Sequence, residues 1–258
     1  MVAAVVGGQL IQHLSPAGAL HAAAAIIAVA PFMLIWATWS LIDEPKSAIN
    51  LPELKRTFRS LMAAFSSRNL WIVALFLFLY YFSPGFGTPL YYHMTDKLKF
   101  SQGYIGLLGS ISSAGWIIGA LLYDRYLDGL NSRTLLNLSI AAGALTTASF
   151  LLLSSELSAA ILNFLSGFSA MLATVATLRV AAEYSPQRSE GFAFAVLTSI
   201  TNLATAAAEN VGSFLYQRVF DSNMTPLIIV SALFTTVAFV LVPMLRLTRE
   251  RRTPAAAV

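Results

Sequence analysis

Cysteine is absent from this chain of 258 residues, and only three histidines are present. Disulfides, thiolate metal sites and catalytic thiols within the chain are therefore excluded. The histidines, at positions 13, 21 and 93, lack the spacing of metal ligands, so we expect neither a metal site nor a cofactor. A phosphate-binding loop with its lysine, a nucleophile–histidine–acid arrangement and an HExxH motif are also missing. The sequence thus argues against an enzyme.

Charge is scarce as well. Charged residues make up 11% of the chain and hydrophobic residues 57%, whereas ordinary soluble domains carry about 25% charged residues. Long apolar runs of this kind predict an all-α polytopic transmembrane helix bundle. We predict a helix fragment at 1–14 and seven full spans, at 17–42, 70–92, 103–123, 134–153, 157–182, 191–217 and 226–246.

The longest polar segment, 43–69, separates the first full span from the other six. Its apolar residues recur at helical spacing and its basic residues point elsewhere. This pattern predicts either a basic amphipathic helix on the membrane surface or a solvated linker helix packed on the bundle ends. The tail, 247–258, is basic and then alanine-rich, and we predict that it is disordered.

Basic residues are distributed unevenly between the two sets of loops. Of the 16 lysines and arginines, 13 lie on the side of the 43–69 segment and three, Lys97, Lys99 and Arg218, lie on the other. The positive-inside rule then puts 43–69 and the C-terminus in the cytoplasm of a protein integral to the cell (inner) membrane. The same asymmetry explains the net charge of +4 without nucleic acid as a partner.

A polar stripe follows one face of the span at 191–217. Because lipid disfavours polar side chains, this face should meet other helices or water. It forms either the wall of a substrate cavity or a set of hydrogen bonds between helices in a dry bundle. The stripe consists of Thr198, Asn202, Thr205, Glu209, Gly212 and Tyr216.

Glu209 is the ionisable member of that stripe. It lies about eight residues, or roughly 12 Å, from the outer end of its helix. A carboxylate there costs about 2–3 kcal/mol on insertion scales, and the outer halves of the spans offer no basic partner. We therefore predict that Glu209 takes up and releases a proton or contacts a substrate. The alternative is a carboxylate paired with a cation from outside this chain.

The span at 157–182 carries a second stripe, of polar and small residues. It serves either close helix packing or the lining of a cavity. At its end, Arg179 and Glu183 lie one turn apart and form either an intrahelical ion pair or a gate that contacts an anion. The span at 226–246, by contrast, has no charge before Arg246 and is predicted to face lipid. The stripe consists of Asn163, Ser166, Gly167, Ala170, Thr174 and Thr177.

The stretch Ser83-Pro-Gly-Phe-Gly-Thr-Pro89 interrupts the span at 70–92. Proline removes a backbone donor and glycine permits unusual dihedral angles, so we predict a helix discontinuity in the outer half of this span. Pro84, Gly85 and Gly87 then form either a hinge of the extracellular gate or a static kink. In the next span, Gly115 and Gly119 form a GxxxG pattern that predicts close helix packing.

These features resemble the major facilitator superfamily of secondary transporters. Gly119-Ala-Leu-Leu-Tyr-Asp124-Arg125 is similar to that superfamily's Gly-x-x-x-Asp-Arg loop motif, with one extra residue before the aspartate. The stretches Ser83–His93, Leu98–Gly106 and Tyr184–Gly191 look closest to the folate–biopterin transporter branch.

The resemblance implies a fold of twelve spans in two six-helix halves. This chain would contain the end of the N-terminal half (1–42), the cytoplasmic loop (43–69), the C-terminal six-helix bundle (70–246) and a tail. Asp124 and Arg125 would belong to a gate. Spans 134–153 and 226–246 would be peripheral, and the cavity would be lined by 70–92, 103–123, 157–182 and 191–217.

The functional expectation is a secondary active transporter, or its C-terminal half, that moves a small polar solute by alternating access. The resemblance implies a folate- or pteridine-like solute, and Glu209 suggests proton coupling. The expected partners are the lipid bilayer, the solute and a missing N-terminal half. The alternative is a truncated remnant, or a scaffold bundle that binds a partner and transports nothing.

Overall fold

The computed structural model describes residues 16–41, 62, 66, 68–184 and 190–245. The regular secondary structure within these residues is helical. No strand occurs among them, which confirms the all-α prediction. The predicted fragment at 1–14, nearly all of the amphipathic segment at 43–69 and the tail at 247–258 lie outside these residues. The α-helices are α1 (Pro16–Leu41), α2 (Arg68–Tyr81), α3 (Gly87–Tyr92), α4 (Gln102–Leu122), α5 (Ser132–Ser149), α6 (Glu156–Tyr184), α7 (Glu190–Phe214) and α8 (Met224–Leu241).

Six of these helices, α1 and α4 to α8, are long and apolar enough to cross a membrane. The remaining predicted span, 70–92, is not one continuous helix. It is divided into α2, of 14 residues, and the short α3, of six. The discontinuity predicted from its prolines and glycines is therefore present.

The helix starts follow local side-chain chemistry. Ser101 precedes α4 and accepts a hydrogen bond from the backbone N–H of Tyr104. Asn131 does the same for α5, with its side-chain oxygen 2.7 Å from the N–H of Thr134. Such residues satisfy backbone donors that have no partner in the first turn of a helix. The starts of α4 and α5 are therefore specified by residues next to them in the sequence.

Two apolar cores hold the bundle together. The first, around Leu77, Leu135 and Val180, joins α2, α5, α6, α7 and the end of α8. The second, around Leu108 and Leu227, joins α3, α4, α6, the turn after α7 and the start of α8. α1 contributes to neither, because every side chain described in it is half-buried or exposed.

Helices α4 and α6 approach each other closely through glycine. A Cβ built on Gly115 would lie 2.1 Å from the carbonyl oxygen of Phe164, and one on Gly167 would lie 1.8 Å from that of Ser112. Neither distance is possible for a real Cβ atom, so the two backbones can approach this closely only because Gly115 and Gly167 each lack a side chain. The close packing predicted from the GxxxG pattern is confirmed at Gly115.

Candidate functional site

The helix break between α2 and α3 is held on one side by α7. The backbone N–H of Gly85 donates to the carbonyl oxygen of Ala208 at 2.8 Å. On the α3 side of the break, the N–H of Leu90 donates to the carbonyl of Phe86 and starts α3. A backbone donor that a break frees is thus satisfied by a neighbouring helix, as the apolar interior of a membrane requires.

Helix α8 holds the other side of the break. The hydroxyl of Ser83 donates to the carbonyl of Ser231 at 2.9 Å, and the hydroxyl of Ser231 donates to the carbonyl of Pro84 at 2.6 Å. Ser231 is 1% exposed. The expectation that α8 simply faces lipid is therefore wrong for this face. The same expectation agrees with the opposite face of α8, where Leu233 and Val240 are exposed.

Glu209 lies against the glycines of the break. A Cβ built on Gly85 would be 2.6 Å from Oε1 of Glu209, and one on Gly87 would be 3.2 Å from the same oxygen. On α7, a Cβ on Gly212 would be 1.6 Å from the carbonyl oxygen of Gly85. The structure thus brings the predicted hinge and the predicted coupling residue into one site, although they are far apart in the sequence.

The second carboxylate oxygen of Glu209 has a different environment. Oε2 is buried, and no hydrogen-bond partner for it exists in the part of the chain that the structure describes. A buried acceptor without a donor is costly, and an ionised one is more so. Chemically, this atom is suited to take up a proton or to accept a hydrogen bond from a solute.

The rest of the α7 stripe does not form a uniform wall. Thr198, Asn202 and Thr205 are exposed on the bundle surface, whereas Gly212 and Tyr216 are buried. Tyr216 belongs to the second apolar core, together with Leu90 of α3 and Leu227 of α8. The first three side chains are therefore available to a solute or another helix, and Tyr216 serves packing.

The α6 stripe is satisfied largely within its own helix. Asn163 donates to the carbonyl of Ala159, and Thr174 donates to that of Ala170, each at 2.8 Å. Three other members of the stripe line a cleft of about 340 Å³ between α4 and α6. Of the two roles that the sequence left open, close helix packing is present at Gly167, and the lining of a substrate cavity stays a prediction. The cleft is lined by Ser112, Ser113, Trp116, Ile117, Ser166, Gly167 and Ala170.

A polar cluster ties the α4–α5 loop to α6. The guanidinium of Arg179 donates to the carbonyls of Leu130 and Asp128, each at 2.9 Å, and lies 3.5 Å from the Asp128 carboxylate. Glu183 accepts a hydrogen bond from the hydroxyl of Ser132, at the start of α5. The intrahelical Arg179–Glu183 pair, one of the two alternatives above, is therefore wrong, because each residue bonds to the neighbouring loop or helix instead.

The two predicted gate residues next to this cluster stand apart from it. Asp124 and Arg125 lie in a π-helical turn that continues α4, and both are exposed. Sequence reasoning missed Asp128, which occupies a position where the superfamily's motif usually has a basic residue. The contact with Arg179 depends on the approach of α6, which sequence spacing does not reveal.

Comparison with known proteins identifies the family of this bundle. The family model of the Major Facilitator Superfamily matches the chain over residues 1–208 and again over 85–257. The chain belongs to the major facilitator superfamily. It is also 26% identical, over 257 residues, to a folate-biopterin transporter from Synechocystis sp., an alignment that covers 90% of the chain and 51% of that protein. The chain therefore spans about half the length of this curated relative.

Membership of the superfamily gives the helix bundle a functional class. The chain is a membrane-spanning protein of a transporter family rather than of an enzyme family. The resemblance read from Gly119, Asp124 and Arg125 is confirmed at the level of the superfamily. Within this major facilitator bundle, the break between α2 and α3 and its contact with Glu209 form the candidate functional site.

Proposed function

We propose that this protein acts as a secondary active transporter, or as the C-terminal half of one, and moves a small polar solute by alternating access. The observation that carries the proposal is the contact between the Glu209 carboxyl group and the glycines of the helix break. A carboxyl group next to the helix break can exchange a proton, and it also contacts a glycine-containing backbone segment that is able to bend.

The surroundings of Glu209 support the proposal of proton coupling. The charged residues of the adjoining turns, Asp96, Lys97 and Arg218, are exposed, and α8 contains none. The buried Oε2 of Glu209 has no donor among the described residues, so a proton, a water molecule or a polar solute would supply the bond it lacks. An acceptor that lacks a donor, next to the helix break, supports the proposal of proton-coupled symport.

For the solute, we propose a folate- or pteridine-like molecule. The similarity to a folate-biopterin transporter supports this class. The cleft between α4 and α6 supports it too, since it offers the indole of Trp116 beside the hydroxyls of Ser112 and Ser166. An aromatic face next to hydroxyl groups suits a planar heteroaromatic ring with polar edges.

The gates and the orientation complete the proposal. Gly85 and Gly87 would bend at the outer gate, while Asp124 and Arg125, both exposed, would contact the other half at the inner gate. The protein would lie in the cell (inner) membrane with its C-terminus in the cytoplasm, as the 13 basic residues on that side favour.

Uptake of labelled folate and biopterin tests the proposal, in cells that express the complete reading frame. We expect uptake to rise with an inward proton gradient and to fall when a protonophore removes that gradient. Glu209→Gln keeps the shape of the side chain but cannot ionise, so it should abolish the response to the gradient. Glu156→Gln, at an exposed carboxylate that starts α6, is the matched control and should respond like the wild type.

Two results would contradict this mechanism. Gradient-driven uptake in Glu209→Gln equal to that of the wild type would remove Glu209 from the coupling. Failure of every variant, the wild type included, to take up either compound would favour a second candidate, a bundle that binds a partner without transport. The exposed apolar side chains of α1, among them Leu20, Phe32 and Trp39, support that candidate because they offer a surface for another helix.

A further inference from the structure

Ser231 on α8 faces two acceptors. Its hydroxyl oxygen lies 2.8 Å from the carbonyl of Leu227, one turn earlier in the same helix, and 2.6 Å from the carbonyl of Pro84 in the break. A serine hydroxyl carries a single hydrogen. It can therefore donate to the break, or rotate and donate within α8, and in both cases its donor remains satisfied.

The hydroxyl of Thr235 also has one acceptor in its own helix and one in the break. Thr235 lies 2.9 Å from the carbonyl of Ser231, in its own helix, and 3.2 Å from the hydroxyl of Ser83, in the break. Ser83 in turn donates to the carbonyl of Ser231. We call Ser83, Ser231 and Thr235 the hydroxyl latch. Its contacts cross from the break to α8, and two of its three members have an acceptor in their own helix to return to.

We infer that Ser231 is a positioning residue, which holds the Pro84 carbonyl and thereby presses Gly85 against α7 beside Glu209. Pro84 is bonded to α8 and the next residue, Gly85, is bonded to Ala208 of α7, so the break is clamped between the two helices. Rotation of the Ser231 hydroxyl towards Leu227 releases the Pro84 carbonyl from α8 without leaving a buried donor unpaired, while Ser83 can keep its bond to the Ser231 carbonyl. The inference rests on the proposed function only in assigning this release to the transport cycle.

The chain supplies a matched control in the same helix. Thr236 is exposed, and its hydroxyl donates to the carbonyl of Leu233 at 2.6 Å, away from the break. Ser231→Ala and Thr236→Ala each remove one hydroxyl from α8. Only the first removes a bond to the break.

Hydrogen–deuterium exchange, read by mass spectrometry on the purified protein in nanodiscs, tests the latch without any transport assay. The reporters are the amides of residues 82–90, which include the N–H groups of Gly85 and Leu90. In Ser231→Ala we expect these amides to exchange about three- to tenfold faster, the range that corresponds to one net hydrogen bond. Thr236→Ala should leave them at the wild-type rate.

A second variant separates positioning from general destabilisation. Ser83→Ala removes the latch from the other side and should also speed exchange in 82–90. The double variant should exchange at least as fast as Ser231→Ala, because Ser83 donates to the backbone carbonyl of Ser231, which Ser231→Ala retains. Faster exchange throughout α4 and α6 in Ser231→Ala, or no difference between Ser231→Ala and Thr236→Ala, would each overturn the inference.

Failure of the latch and failure of transport remain distinguishable. Local acceleration of exchange, in a protein that takes up no solute, would support the latch and contradict the proposed transport. Normal exchange in Ser231→Ala, in a protein that transports, would contradict the latch alone.

Discussion

Glu209 and Gly85 face each other where α7 meets the helix break. A Cβ on Gly85 would lie 2.6 Å from Oε1 of Glu209 and 3.0 Å from its Cα. Real Cβ atoms do not approach that closely, so the carboxyl group occupies space that only glycine leaves open. The glycine at this position is required by contact with α7 as well as by the break.

The first prediction compares the two glycines of the break. Gly85→Ala must displace Glu209 or part α7 from the break, so we expect a clear loss of thermal stability, in the range of about 1–3 kcal/mol for overpacking. Gly87→Ala, whose Cβ would be 3.2 Å from Oε1, should cost less, because the end of a side chain can move by a few tenths of an ångström. Melting temperatures in detergent measure the difference.

A compensating change checks the cause of that loss. If the carboxyl group is the obstacle, Glu209→Ala should recover part of the stability lost in Gly85→Ala. Equal melting temperatures for the single and double variants would show that the obstacle lies elsewhere.

The second prediction concerns the contact between α7 and the break itself. A Cβ on Gly212 would lie 1.6 Å from the carbonyl oxygen of Gly85, and a backbone oxygen cannot rotate away. Gly212→Ala should therefore cost at least about 3 kcal/mol or prevent folding. Gly191→Ala in the same helix meets no atom within 4 Å and serves as the control. Similar expression and melting of the two variants would argue against this packing.

The third prediction addresses the α4–α6 pair. Gly167→Ala should force the two helices apart at Ser112 and lower the melting temperature strongly. Gly143→Ala in α5 meets only the methyl group of Thr235, at 3.7 Å. Because alanine is the better helix former by about 0.5–1 kcal/mol, the Gly143 variant should be unchanged or slightly stabilised. The reverse order of melting temperatures would contradict the packing.

The fourth prediction compares the two kinds of partner that Arg179 has, the Asp128 carboxylate and the backbone carbonyls of Asp128 and Leu130. The Asp128 side chain is 50% exposed, so Asp128→Ala should cost at most about 0.2–1 kcal/mol. Arg179→Ala frees the carbonyls of both Asp128 and Leu130 and should cost more. Arg179→Lys should not restore stability, since an ammonium group cannot replace the planar fork of a guanidinium. Equal losses for Asp128→Ala and Arg179→Ala would show that the ion pair, and not the carbonyl contacts, holds the loop.

The fifth prediction tests orientation, and the absence of cysteine makes it simple. Gly129 and Ser154 are exposed in the loops at opposite ends of α5. In intact cells, a cysteine at Ser154 should react with an impermeant thiol reagent, while one at Gly129 should react only after the membrane is permeabilised. Labelling in the opposite order would invert the proposed topology.

The sequence by itself determined the class of protein and much of its layout. Scarce charge and long apolar runs were enough for a helical membrane bundle, because the bilayer admits few other structures. Local rules were equally direct: Pro84 broke a helix, and Asn131 started one. The motif at Gly119–Arg125 indicated the superfamily that the comparison confirms. Each of these signals lies within a few residues of the structure that it determines.

Only the tertiary structure decided which of these elements meet. Periodicity gives the face of a helix but not the neighbour of that face, so Glu209 and Gly85 could be singled out separately but not joined. Ser231 appeared as one of a few polar residues on an otherwise apolar helix, and its carbonyl partner became visible only when α8 was placed beside the break. Arg179 had Glu183 one turn away in sequence, yet it bonds to the α4–α5 loop, because the packing of α6 against that loop presents two backbone carbonyls to its guanidinium.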